Sequence, residues 1–174
     1  VGAEFLCAPR LDNLLSVYSS LNAIINSTPK DIAVCCCFDN EEVGSETKQG
    51  AASNILSTLL RKINRAFMKN DDDFTFATEN GVLLSSDNAH AVHPSFPEKS
   101  DPSEKVYLNK GVVIKHHVNY STDALSSAVV KTLLKNENIE VQDYYNNSDV
   151  RCGSTIGLVT SADLNMNACD VGCL

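Results

Sequence analysis

No stretch of this chain approaches the roughly 18 consecutive apolar residues of a membrane-spanning helix. No positively charged start precedes an apolar run, so no secretory signal is read. The sequence does not begin with Met and opens with the strand-like Glu4-Phe5-Leu6-Cys7, as expected of a piece of something longer. Basic residues are in deficit, 14 Lys and Arg against 22 Asp and Glu, for a net charge of -8. That deficit argues against a nucleic-acid footprint, which needs a basic patch. It suits a site that holds cations, and solubility alone also favours it. There is no Cys-x-x-Cys pair among the seven cysteines, whose number is odd, and three of them, Cys35, Cys36 and Cys37, are consecutive. Neighbouring strand residues point to opposite faces, so these three cannot form one compact ligand set. The cysteines are expected to be small buried residues in a reducing compartment. The absence of a Gly-x-Ser-x-Gly elbow and a Gly-x-x-x-x-Gly-Lys loop removes support for serine hydrolases and phosphate-loop nucleotide binders.

What is present is ordinary globular composition: 174 residues, 43% hydrophobic and 21% charged, enough for one domain with a core. Helical spacing of Leu11, Leu14, Leu15, Tyr18, Leu21 and Ile25 predicts a helix over 10–26. The apolar run 32–38 predicts a strand covered on both faces. A second helix is expected over 48–68, with Ile55, Leu56, Leu59, Leu60, Ile63 and Phe67 as its stripe. Asn70 to Asp73 reads as a solvated loop or a helix start and lacks the alternating pattern of a calcium loop. Short strands are expected over 81–86, 111–115, 139–144 and 168–171, and helices over 121–135 and from 153 to about 163. Residues 94–105 read as a surface loop. This alternation defines an α/β class with a mixed, mostly parallel sheet flanked by helices.

Four polar clusters end apolar segments. Pro9-Arg10-Leu11-Asp12-Asn13 places Asp12 at a helix start, as a cap or as part of a site. Asp39-Asn40-Glu41-Glu42-Val43-Gly44-Ser45 is a charged turn or a pair of glutamates dividing two jobs, one holding a metal and one moving a proton. Ser85-Ser86-Asp87-Asn88-Ala89-His90-Ala91-Val92-His93-Pro94 offers a carboxylate and two imidazoles. Arg151-Cys152-Gly153-Ser154-Thr155-Ile156-Gly157 is a glycine turn whose N–H groups could meet an anion or a carbonyl oxygen. His116 and His117 alternate faces on a strand and read as surface or structural residues. Taken together, Asp12, Glu42 and Asp87 are three carboxylates at the edges of apolar elements, with His90 and His93 beside the third and Glu41 to spare. Carboxylates with imidazole are the ligand chemistry of a zinc or manganese hydrolase, and a shared carboxylate can bridge two metals.

These motifs, with Val113-Ile114-Lys115 between them, occur in an order that resembles the aspartyl aminopeptidase family of dinuclear zinc aminopeptidases, from about Glu4 to the last residue. The resemblance implies a zinc-exopeptidase-like fold and two divalent metal ions, zinc first, with manganese or cobalt as alternatives. It implies that Asp12 bridges the metals, that Glu42 binds one and Asp87 the other, and that Glu41 is the general base. It places His90 at the scissile peptide and Lys115 in a pocket for an acidic N-terminal side chain. Tyr120 resembles a substrate-contacting tyrosine, although its spacing from Lys115 is shorter than the family's; His93 is given a supporting role. The implied substrate is a peptide with N-terminal Asp or Glu, in a cytoplasmic homo-oligomer that needs neither nucleic acid nor membrane.

The resemblance also marks departures. The family's two histidine ligands, one upstream and one soon after a segment like Asp170-Val171-Gly172, are not in this sequence, nor is its inserted dimerisation domain. Residues 1–174 are therefore expected to be part of a catalytic domain and not a competent peptidase alone. A non-catalytic or assembly-only relative, or a dinuclear aminopeptidase of neutral specificity, are the competing readings.

Overall fold

The computed structural model describes residues 4–174. Eleven elements follow one another in it: α1 (Leu11–Asn26), a 3-10 turn (Glu41–Val43), α2 (Ile55–Ala66), α3 (Asp71–Glu79), β1 (Val82–Ser86), a 3-10 turn (Pro97–Lys99), β2 (Val112–His116), α4 (Ala124–Asn136), β3 (Val141–Tyr145), α5 (Gly157–Leu164) and β4 (Asn167–Gly172). The strands form one sheet in the order β1-β4-β2-β3. β1 pairs with β4 and β2 with β3 in parallel, while β2 and β4 run antiparallel. The mixed, mostly parallel sheet read from the alternation of elements is therefore present.

Local chemistry explains where several helices begin. Asn70 caps α3 reciprocally, its side chain accepting from the Asp73 N–H while Asp73 accepts from the Asn70 N–H, both at 2.9 Å. The acidic run is thus a helix start and not a loop, and its carboxylates sit where the helix dipole favours them. Asp123 and Ser126 cap α4 in the same reciprocal way. α2 begins at Ile55 rather than near residue 48 because residues 47–54 make turns. Gly50 there lies so close to the chain that a Cβ would sit 2.1 Å from the Ser45 carbonyl oxygen.

Two small cores flank the sheet. Leu56, Phe74 and Leu164 form one, joined by Phe38, Leu60 and Met166. Ile114, Val130 and Cys169 form the other, joined by Leu134, Val141 and Val171.

Three expectations are corrected. Residues 32–38 form no strand, and Ile32 is 87% and Val34 55% exposed. A strand needs a hydrogen-bonding neighbour, and among the described residues no strand pairs with this run. Glu4 to Cys7 likewise form no strand. The cysteines are not uniformly buried: Cys169 is, but Cys7, Cys36 and Cys37 are exposed. In α1 the apolar stripe is real, yet Leu14, Tyr18, Leu21 and Ile25 face outward and Ser16 is the buried residue.

Ile114 is fully buried at the centre of the second core. Ile114→Ala is expected to cost about 2–5 kcal/mol, read as a lowered urea midpoint with an unchanged slope.

Candidate active site

The carboxyl end of β1, the start of α1 and the Lys115 side chain of β2 meet at one place. Asn13 begins the assembly: its amide donates to the Ser86 carbonyl at 2.9 Å, tying the start of α1 to the end of β1. The Asp12–Asn13 peptide is cis, and Asp12 has non-helical backbone angles (φ -82°, ψ 114°). The helix has no side-chain cap at Arg10, so Asp12 is not a cap. Its carboxyl lies close enough to Asp87 for that charge to bear on it. Asp87 follows β1 directly, its N–H donating to Val171 O of β4 at 3.0 Å.

Lys115 rises from β2 beneath Asp87. It is 3% exposed and donates to Asp87 Oδ2 at 3.0 Å and to the Asn88 carbonyl at 2.7 Å. An ammonium has three N–H donors, so these bonds leave one for another acceptor. Tyr120 closes the far side, its ring centroid 5.6 Å from Lys115 Nζ. Its hydroxyl receives a hydrogen bond from the Cys152 thiol at 3.3 Å. Burial first, then the contact with Cys152, drives the phenol pKa far up, so the hydroxyl keeps its proton.

The glutamate turn is tightly wound. Gly44 N–H donates to Glu41 O and Ser45 N–H to Asn40 O, both at 2.9 Å, and the Asn40 amide reaches Thr47 Oγ1 at 2.9 Å. Glu41 and Glu42 are exposed on this turn, but their charges reach the cluster. Burial, then Asp87, Glu42 and Asp12, push the Glu41 carboxyl above its usual range, and Lys115 pulls it back. Burial, then Asp87, raise Asp12 in the same way, with Glu42 adding to the effect. His90 and His93 are exposed on the loop after Asp87. His116 binds Asp143 at 2.7 Å and stacks on Tyr145, away from the cluster.

The structure thus joins Asp87, Lys115 and Tyr120 by contact, lets the charges of Asp12, Glu41 and Glu42 reach them, and leaves His90 exposed on the loop after Asp87. Sequence reasoning missed the work of Asn13, Cys152 and Asp170. All three stand in the quoted motifs, but the contacts that define their work join residues tens of positions apart.

Carboxylates crowded enough to help raise the pKa values of Asp12 and Glu41 form a donor set suited to a divalent cation. Among the described residues no three His, Cys, Asp or Glu side chains converge as a ready ligand shell. The cluster fits a metal in donor chemistry and charge, and it is short of a complete coordination sphere.

The model of the aminopeptidase I zinc metalloprotease family, M18, matches residues 1–174, and the chain belongs to that family. A probable M18 family aminopeptidase 2 of Clostridium novyi is 44% identical over 172 residues, covering 97% of this chain and 40% of the relative. One of Mycobacterium leprae is 40% identical over 173 residues, covering 98% of this chain and 41% of the relative. The S. cerevisiae mApe1 dodecamer superposes with a TM-score of 0.79 at 27% identity, covering 95% of this chain and 38% of that one. The chain spans about 40% of the length of the curated relatives it matches. No helix among the described residues is long and apolar enough to cross a membrane.

In metal-free protein, raised folded-state pKa values make Asp12 and Glu41 contribute stability that is complete below their unfolded pKa values. That stability is lost as pH rises through the folded ones. Thermal melts in chelator should therefore weaken across that interval, and Asp12→Asn should flatten the dependence. NMR titration of the same variant should show Glu41 ionising at lower pH, because one negative neighbour is gone.

Proposed function

We propose that the whole protein is a metal-dependent aminopeptidase that removes N-terminal Asp or Glu from peptides, and that residues 1–174 supply part of its catalytic domain. The observation that carries this reading is the pairing of crowded carboxylates with a buried ammonium, Lys115, on one side of the cluster. Family membership supports zinc. Asp12, Glu42 and Asp87 would hold two divalent ions, with Asp12 between them. Bound there, the ions would acidify a water and polarise the peptide carbonyl.

The chain's own residues do the rest. Glu41, with its pKa raised by burial and by Asp87, is a carboxylate of increased basicity. It takes the proton of the attacking water and passes it to the leaving amine. Lys115 turns its remaining N–H to the side-chain carboxylate of the substrate's N-terminal Asp or Glu, a charge-assisted bond that a neutral side chain cannot make. Tyr120, held protonated, donates its O–H to the same end of the substrate. His90, exposed on the loop after Asp87, contacts the scissile peptide. The relatives include a dodecamer, which supports a homo-oligomer. A cytoplasmic enzyme working without nucleic acid or membrane is part of the same reading, and the net charge of -8 supports the lack of a nucleic-acid partner.

In the full-length chain loaded with zinc, Glu41→Gln should lower kcat by about 10²- to 10⁴-fold while bound zinc stays constant. Lys115→Ala should abolish the preference for Asp- over Leu-terminal peptides. A full-length, zinc-loaded protein that fails to release N-terminal Asp refutes the reading, and an Asp preference that survives Lys115→Ala refutes the role of Lys115.

A further inference from the structure

The most buried charge in the described chain is not in the carboxylate cluster. Asp170 of β4 is 0% exposed. Its Oδ2 accepts from the Ser121 N–H and from the Ser121 hydroxyl, each at 2.6 Å, and its Oδ1 accepts from the Thr155 hydroxyl. Its own N–H donates to Thr122 Oγ1 at 2.8 Å. The carboxylate lies against Gly157, where a Cβ would come within 2.6 Å of Oδ1 and 2.7 Å of Ser121 Oγ. Gly157 opens α5, so the anion at the glycine turn is the chain's own.

These bonds join two loops. One, after β2, carries Asn119, Tyr120, Ser121 and Thr122. The other runs from Cys152 to Gly157. Around Tyr120 the loops meet again, with the Cys152 thiol on the Tyr120 hydroxyl and the Asn119 amide reaching the Cys152 and Gly153 carbonyls at 3.3 and 3.4 Å. Asp170 bonds to both loops and ties them to β4.

We infer that Asp170 is a positioning residue for substrate selection: through Ser121 and Thr155 it holds Tyr120 over Lys115. The inference rests on the proposed reading of this site as an aminopeptidase. The carboxylate is fully buried, takes three donors and, among the described residues, has no ion-pair partner, so the loops that supply those donors are held to it. Removing one oxygen's charge forces a donor to face donors or to turn away. Tyr120 follows because it is covalently next to Ser121.

The test is a double-mutant cycle in the zinc-loaded full-length chain. Asp170→Asn and Tyr120→Phe are made singly and together, and kcat/KM is measured on Asp- and Leu-terminal peptides alongside bound zinc. Asp170→Asn is expected to lower kcat/KM for the Asp-terminal peptide about 10- to 100-fold, chiefly through KM, with zinc content unchanged. The double variant should be no worse than the worse single, because both act through the same hydroxyl. Independent of turnover, amide hydrogen exchange should quicken in 119–122 and 152–157 of the Asp170 variant. Multiplicative losses, loss of zinc in step with activity, or unchanged exchange in both loops overturns the proposal. If Asp170→Asn does not fold, Thr155→Val, which removes one donor, enters the same cycle with the same criteria. A wild-type chain without Asp preference refutes the aminopeptidase reading itself, whereas a selective wild type indifferent to Asp170→Asn refutes only this inference.

Discussion

The site depends on one ion pair. Lys115 is a buried ammonium on a central strand, and a charge so placed must be paired and hydrogen-bonded or the fold loses several kcal/mol. Asp87 and the Asn88 carbonyl meet it within 3.0 Å. This requirement fixes the end of β1 relative to β2 although the two strands are not neighbours, since β4 lies between them. Asp12 then follows through Asn13 and Ser86. The carboxylates are gathered around a cation that the protein itself supplies.

Asp170 solves the opposite problem on β4. Its negative charge is held by hydroxyl and amide donors and by the start of α5, without a cation. The two buried charges lie on adjacent strands, with Lys115 tied to the loop after β1 and Asp170 to the loop after β2. Had Asp170 paired with Lys115, the ammonium would be neutralised twice and the carboxylate cluster left without its counter-charge.

The sequence carried much of this and lost the rest for definable reasons. Four strands and four helices were legible because their periodicity is local: Val112 to His116 and Ala124 to Asn136 need only their own spacing and an Asp123 cap. Residues 32–38 were misread because an apolar run reports suitability for a strand and not the presence of a partner. The stripe of α1 was found, but its outward direction was not, since helical spacing shows that residues share a face and not what that face meets. Glu41, Glu42, Asp12 and Asp87 were identified by motif and shown by the structure to be electrostatic neighbours. Asp170 escaped because its partners, Ser121 and Thr155, lie 49 and 15 positions away in the chain.

The crowding of Asp12, Glu41 and Asp87 has a direct consequence for metal binding. The raised pKa values of Asp12 and Glu41 mean that burial and neighbouring charges oppose their ionisation, and a divalent cation held there would relieve that opposition. Protons and metal would then compete for Asp12, so on the proposed reading affinity would rise with pH over the interval in which Asp12 ionises. Lys115 lowers the cost of ionising both Asp12 and Glu41, and it does so at a distance because its contact is with Asp87. On the proposed reading, an ammonium at that position would keep the cluster charged enough to hold a cation and would offer its remaining donor to an acidic substrate. A neutral residue at 115 would weaken both, so selectivity and metal retention would depend on the same buried charge.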